Sequence, residues 1–138
     1  MYFSVHVLAG AAAASYASTF YTALPVGLVT HALLDMVPHH DYGSIPPGVI
    51  DGLVGLLALA LFAMGPRPVA AWGAAGGGIP DLEVFLGYFN LVKRQWFPTH
   101  NGLLPHPQRS FWPGLWLQLL VAGLSAARLV GLFLPQSL

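Results

Sequence analysis

The sequence predicts an all-α fold: an integral membrane bundle of about five helices, some short or broken, in a single transmembrane domain over residues 1–138. Three observations lead there. Only 7% of the residues are charged and 56% are hydrophobic, whereas a soluble domain carries about 25% charged residues. The apolar residues form long runs, with a mean hydropathy of +0.67 over the chain. Proline, glycine and polar clusters separate those runs. Five basic and five acidic side chains cannot coat the chain with water-compatible groups, so lipid must cover much of it.

Each element has its own signal. Helix one is expected over about 3–21, rich in alanine, and small residues let helices approach closely in lipid. Tyr2 to His6 form a poor basic leader, so this segment reads as retained. Pro25 suits the first turn of helix two, which runs to about Val37 before Pro38 discourages continuation. At about 13 residues that helix covers roughly 20 Å, short of the ~30 Å hydrocarbon core. It therefore needs shielding by its neighbours or a locally thinned bilayer. His39 to Pro47 reads as a loop, punctuated by Gly43, Pro46 and Pro47.

Helix three is expected over about 49–64, stopped by Gly65-Pro66-Arg67-Pro68. Helix four opens near Val69 and loosens at Gly76-Gly77-Gly78. A further stretch follows Pro80 over about 81–90. Three glycines in succession mark either a break or a place where another backbone or a ligand comes close. Residues 93–110 are polar and irregular, and helix five follows over about 112–133. Trp72, Trp96, Trp112 and Trp116 include candidates for an interfacial aromatic belt.

Absent features narrow the function. Without cysteine there are neither disulfides nor thiolate metal sites. A formal net charge of zero gives no electrostatic case for nucleic acid.

Following the chain back and forth through the bundle places every acidic residue and every histidine toward one side. His6 opens helix one; His31, Asp35, His39, His40 and Asp41 end helix two; Asp51 opens helix three. Asp81 and Glu83 end helix four, and His100 and His106 lie in the loop after it. Ionisable groups near a membrane interior are costly and read as functional by default. His31 and Asp35, four residues apart, share a helix face and can bind one ion or act as ligand and orienting partner. The expected metal ligands are His6, His31, Asp35, His39, Asp81 and His100, with Glu83 as catalytic base or additional ligand. Nitrogen and oxygen donors without sulfur suit a divalent ion, zinc first, with manganese or iron as further options.

Plainer readings compete at single positions. His31 with Asp35 could be a buried hydrogen-bonded pair. His40, Asp41 and His106 read as solvated loop residues, Asp51 as a helix N-terminal acid, and Asp81 and Glu83 as caps. Lys93, Arg94 and Arg109 are expected on the polar side, where they could hold lipid phosphates.

These residues resemble the inner-membrane metal-dependent hydrolase family of bacteria and archaea. The likeness rests on His6 with Gly10, Gly76 through Pro80-Asp81-Leu82-Glu83, Thr99-His100, and His31 with Asp35. Glu83 stands where the family carries a second aspartate, the His-Arg usually preceding the Thr-His pair is missing, and the His-x-x-x-Asp helix comes early. The resemblance implies a multi-pass protein of the cell's inner membrane that hydrolyses a lipid or other phosphoester, with membrane lipid as its partner. The rival expectations are a metal-ion or proton transporter using the same polar cluster, and a structural membrane protein.

Overall fold

The computed structural model describes residues 1–133. It contains five helices: α1 (Phe3–Ala14), α2 (Phe20–Asp35), α3 (Ile45–Met64), α4 (Val69–Tyr88) and α5 (Phe111–Phe133). No strand occurs among the described residues; an isolated bridge pairs His39 with Gln108.

Several boundaries differ from the sequence expectation, each for a local reason. α1 ends at Ala14, seven residues early, where the Ser15 N–H bonds the Ala12 carbonyl at 3.2 Å. Serine and threonine then compete for the backbone and favour a turn. α2 starts at Phe20, so Pro25 falls inside it. α3 begins at Ile45 because Pro46 and Pro47 occupy its first turn, where a missing N–H costs no hydrogen bond. α4 runs unbroken through the glycine triplet and Pro80.

The continuity of α4 follows from what packs on it. A Cβ on Gly10 of α1 or on Gly27 of α2 would run into the Gly73 carbonyl oxygen, and one on Gly77 would meet the His6 carbonyl. Backbone therefore touches backbone where α1, α2 and α4 cross. Small residues at such crossings allow the closest packing available to helices. α1 is central, with α2, α3, α4 and α5 all packed on it. Val7, Ala11, Phe62, Ala70, Ala74 and Leu129 form the buried apolar cluster.

α3 and α5 behave differently. Ile50, Leu53, Leu57 and Leu61 of α3 and Trp112, Trp116, Leu120 and Leu124 of α5 are exposed. Both helices are long and apolar enough to cross a membrane. α1, at 12 residues, reaches only about 18 Å.

Contacts along the bundle fix helix direction. Tyr2 meets Gln118 and Ser4 meets Asp51 at one end, while Arg128 reaches Ser15 at the other. α1, α3 and α5 thus run one way, and α2 and α4 return.

Candidate metal centre

Glycine packing delivers the site. His6 and Gly10, Gly27 and His31, and Gly77 and Asp81 are each four residues apart, and residues at that spacing share a helix face. Each of α1, α2 and α4 therefore carries an ionisable group one turn from the glycine at which it touches its neighbours. The three groups meet at one end of the bundle. His6 stacks on His31 with ring centroids 3.8 Å apart.

Asp35 lies at the middle of the assembly and is fully buried. Its Oδ2 is 3.0 Å from His31 Nε2 and 3.2 Å from His100 Nε2. The Thr99 hydroxyl donates to the same oxygen at 2.7 Å. Its Oδ1 is 3.0 Å from His6 Nε2 and 3.9 Å from His39 Nε2. Asp81 Oδ1 completes one side, 3.7 Å from His100 Nε2 and 4.0 Å from His31 Nε2. The two imidazole nitrogens are 3.3 Å apart.

Three histidines are held by their other nitrogen. His31 Nδ1–H donates to the Gly77 carbonyl at 2.7 Å, and His39 Nδ1–H to the Val37 carbonyl at 2.7 Å. His100 Nδ1–H donates to Glu83 Oε1 at 2.9 Å. A carbonyl or carboxylate can only accept, so in each neutral ring Nε2 carries the lone pair. Three lone pairs then face carboxylate oxygens and one another in a buried space. A bare arrangement of that kind is repulsive unless positive charge, either protons or a cation, lies between the groups.

The distances fit a cation. Nitrogen and oxygen ligands about 2.0–2.1 Å from zinc at tetrahedral corners lie about 3.3–3.4 Å apart. Five of the six separations among His31 Nε2, His100 Nε2, Asp35 Oδ2 and Asp81 Oδ1 run from 3.0 to 4.0 Å. Anchoring Nδ1 to a carbonyl or carboxylate is how metal-binding imidazoles are held in the ligating tautomer. These buried histidines and aspartates could therefore hold a metal ion. Its candidate ligands fall into three overlapping triads: His6–His31–Asp81, His31–Asp35–His100 and Asp35–His39–His106.

The structure brings together all six expected ligands, His6, His31, Asp35, His39, Asp81 and His100. Glu83 is close, but its oxygens are committed elsewhere. Oε1 takes the His100 and Phe97 N–H groups at 2.9 Å each, and Oε2 takes the Trp96 N–H at 2.6 Å. It ties the 96–100 turn to α4 and presents no free oxygen as a base. Lys93 and Arg94 are exposed, with Arg94 5.8 Å over the Trp96 ring. The Arg109 side chain is also exposed, and its contribution is backbone: its N–H donates to the His39 carbonyl at 2.6 Å. None of these three cations reaches the cluster.

Two residues expected in solvent belong to the centre instead. His106 Nε2 lies 2.9 Å from His39 Nε2 and 3.1 Å from Asp41 Oδ2, and Asp41 Oδ1 lies 3.1 Å from His39 Nε2. The His39–Gln108 bridge folds the second loop back onto the end of α2. Gly114 and the buried Gln118 brace it: a Cβ on Gly114 would strike His40, and Gln118 donates to the His40 carbonyl at 2.8 Å. Burial opposes ionisation of Asp41, yet His106 and His39 in their protonated forms and the nearby Met1 ammonium outweigh it and hold the carboxyl well below the usual range. For His100, burial disfavours the charged form, but the hydrogen bond to Asp35, the field of Asp81 and the hydrogen bond to Glu83 raise its pKa. His40 turns away, its Nδ1 donating to the Arg109 carbonyl at 3.3 Å. Asp51 is a structural acid that accepts the Ser4 N–H at 3.2 Å.

A cavity of about 310 Å³ opens beside the cluster between α3 and α4. Phe3, Val49, Leu53, Leu56 and Phe85 line its apolar length, and Asp41, Asp81, His100 and His106 form its polar end. Asp81 Oδ2 is buried and accepts no hydrogen bond.

Protein-family models, curated proteins and solved structures give no match to this chain.

Proposed function

We propose that this chain is a membrane-embedded, metal-dependent hydrolase of a lipid or other phosphoester. The observation that carries the proposal is the set of anchored imidazoles converging on Asp35 at the polar end of an apolar cavity. An amphipathic substrate fits that pairing: its chain lies between α3 and α4 and its ester meets the cluster. α3 and α5 serve as membrane spans, consistent with their free apolar faces, while α1, α2 and α4 carry the centre. The resemblance to inner-membrane hydrolases supports a multi-pass location in a bacterial or archaeal inner membrane.

His31, His100, Asp81 and Asp35 would hold the ion, and a nitrogen–oxygen donor set without sulfur favours zinc. A bound divalent ion supplies Lewis acidity and lowers the pKa of water to about 7. The chain's own groups do the rest. His6 Nε2–H donates to Asp35 and orients it. Glu83 fixes the His100 ring, in place of the role of base. Asp81 lines the cavity, and its Oδ2, without a hydrogen-bond partner, would receive a proton from the attacking water.

The test uses full-length protein purified in mild detergent. Metal content and hydrolysis of a short-chain phospholipid are measured for wild type and His31→Ala. Wild type should retain metal and hydrolyse the lipid, with activity removed by chelation and restored by zinc. His31→Ala should insert in membranes normally but lose its metal. Full metal occupancy in that variant, or metal-loaded wild type inert toward every phosphoester offered, would reject the assignment.

A further inference from the structure

We infer that the centre holds two divalent cations bridged by Asp35, the second lying among His39, Asp41 and His106. This deepens the metal-dependent reading above and rests on it. The starting point is an excess of ligands. His31, His100, Asp81 and one oxygen of Asp35 already satisfy a four-coordinate ion. His39, His106 and Asp41 remain, 2.9–3.1 Å from one another, and the Asp35–His39–His106 triad shares only Asp35 with the His31–Asp35–His100 triad.

Asp35 is oriented as a bridge. Oδ2 faces His31 and His100, and Oδ1 faces His39. Two ions joined by a carboxylate lie about 3.5–4 Å apart in hydrolytic centres of this kind. The second pocket has the same construction as the first. His39 is locked through Nδ1, so its Nε2 lone pair points inward, 2.9 Å from His106 Nε2 and 3.1 Å from Asp41 Oδ1. Asp41 Oδ1 is a buried atom that faces His39 Nε2 and the Met1 ammonium, a position that a cation can take. The pocket already accommodates positive charge: the Met1 amino nitrogen lies 3.2 Å from Asp35 Oδ1 and 2.8 Å from Asp41 Oδ1.

Charge balance points the same way and narrows the substrate. With its histidines neutral, Asp35, Asp41, Asp81 and Glu83 bring four negative charges, and the Met1 ammonium offsets one. One divalent ion leaves the centre net negative, which repels an anion. Two leave it net positive. A centre with two ions thus suits a negatively charged phosphoester over a neutral carboxylic ester, with the ions sharing the charge on the attacking and leaving oxygens.

The experiment counts ions without relying on turnover. Detergent-purified full-length protein is loaded with Mn²⁺, freed of excess metal, and read by elemental analysis and electron paramagnetic resonance. Wild type should hold two equivalents with an exchange-coupled spectrum. Asp41→Asn/His106→Gln and, separately, His100→Ala should each hold one equivalent with the spectrum of isolated Mn²⁺, while circular dichroism stays unchanged. One equivalent in wild type, unaltered by Asp41→Asn/His106→Gln, would overturn the two-ion centre and leave a single-metal enzyme standing. No bound metal would overturn both. Two coupled ions in a protein inert toward phosphoesters would uphold the centre and remove the hydrolase. Two equivalents in Asp41→Asn/His106→Gln would overturn the ligands assigned to the second ion.

Discussion

Helices α1, α2 and α4 meet through glycine backbones, while α3 and α5 turn leucine, isoleucine and tryptophan away from the bundle. Both regions contain helical glycines, and apart from Gly55 of α3, where a Cβ would strike the Phe3 ring, the residue does different work in each. At Gly10, Gly27 and Gly77 the missing side chain is the space another backbone occupies. At Gly52 of α3 and Gly123 of α5 nothing lies within 4 Å of where a Cβ would be. The ionisable groups sit one turn from the first kind, and none lies one turn from Gly123. Close backbone packing and site chemistry are therefore one construction, and the outward helices serve as its cover.

Substitutions can break or sharpen that contrast. The largest effect is expected from Gly27→Ala, whose methyl would collide with the Gly73 carbonyl and crowd the Gly77 nitrogen. Main chain cannot swing aside as a side chain can, so overpacking should cost on the order of 3 kcal/mol. A denaturant titration of the purified protein should show the loss, with metal content falling alongside. Glu83→Gln comes next. It removes the carboxylate that fixes the His100 ring and should weaken metal binding about 10–100-fold in a protein of unchanged helicity, measured by competition with a chelating dye. Gly52→Ala should have the smallest effect. In open space alanine relieves the helix of glycine's flexibility, a gain of up to about 1 kcal/mol, with metal binding unchanged. A comparable loss from Gly52→Ala and Gly27→Ala would erase the distinction between the two regions.

Much of this construction is visible in the residues. His31 and Asp35 announce a shared face by their spacing, and Pro, Gly and apolar runs mark five helices. The convergence of titratable groups at one end follows from alternating helix direction alone. Other features depend on information that no local pattern carries. The triplet Gly76-Gly77-Gly78 reads equally as a break or a crossing until α1 and α2 are seen against it. His106, between two prolines, looks solvent-bound because the bridge between His39 and Gln108 joins segments far apart in sequence. Asp41 is drawn in by the same bridge. The role of Glu83 turns on hydrogen bonds to Trp96 and Phe97 that only the folded turn provides. A signal for the cluster was nonetheless present: glycine and an acid or histidine four residues apart on α1, α2 and α4, a pattern that Asp51 and Gly55 repeat on α3.

The main-chain contact at Gly77 has a mechanical consequence. Its carbonyl receives His31, and the His6 carbonyl lies against its α-carbon face. The gauge that spaces the ligands is thus a hard-wall contact between polypeptide backbones, which barely compresses. If α3 and α5 span a membrane as proposed, bilayers of unequal thickness would tilt them, but that strain has little leverage on the crossing. Affinity for zinc should accordingly coincide in short-chain and long-chain phosphatidylcholine vesicles, so that the chemistry is insulated from the material around it.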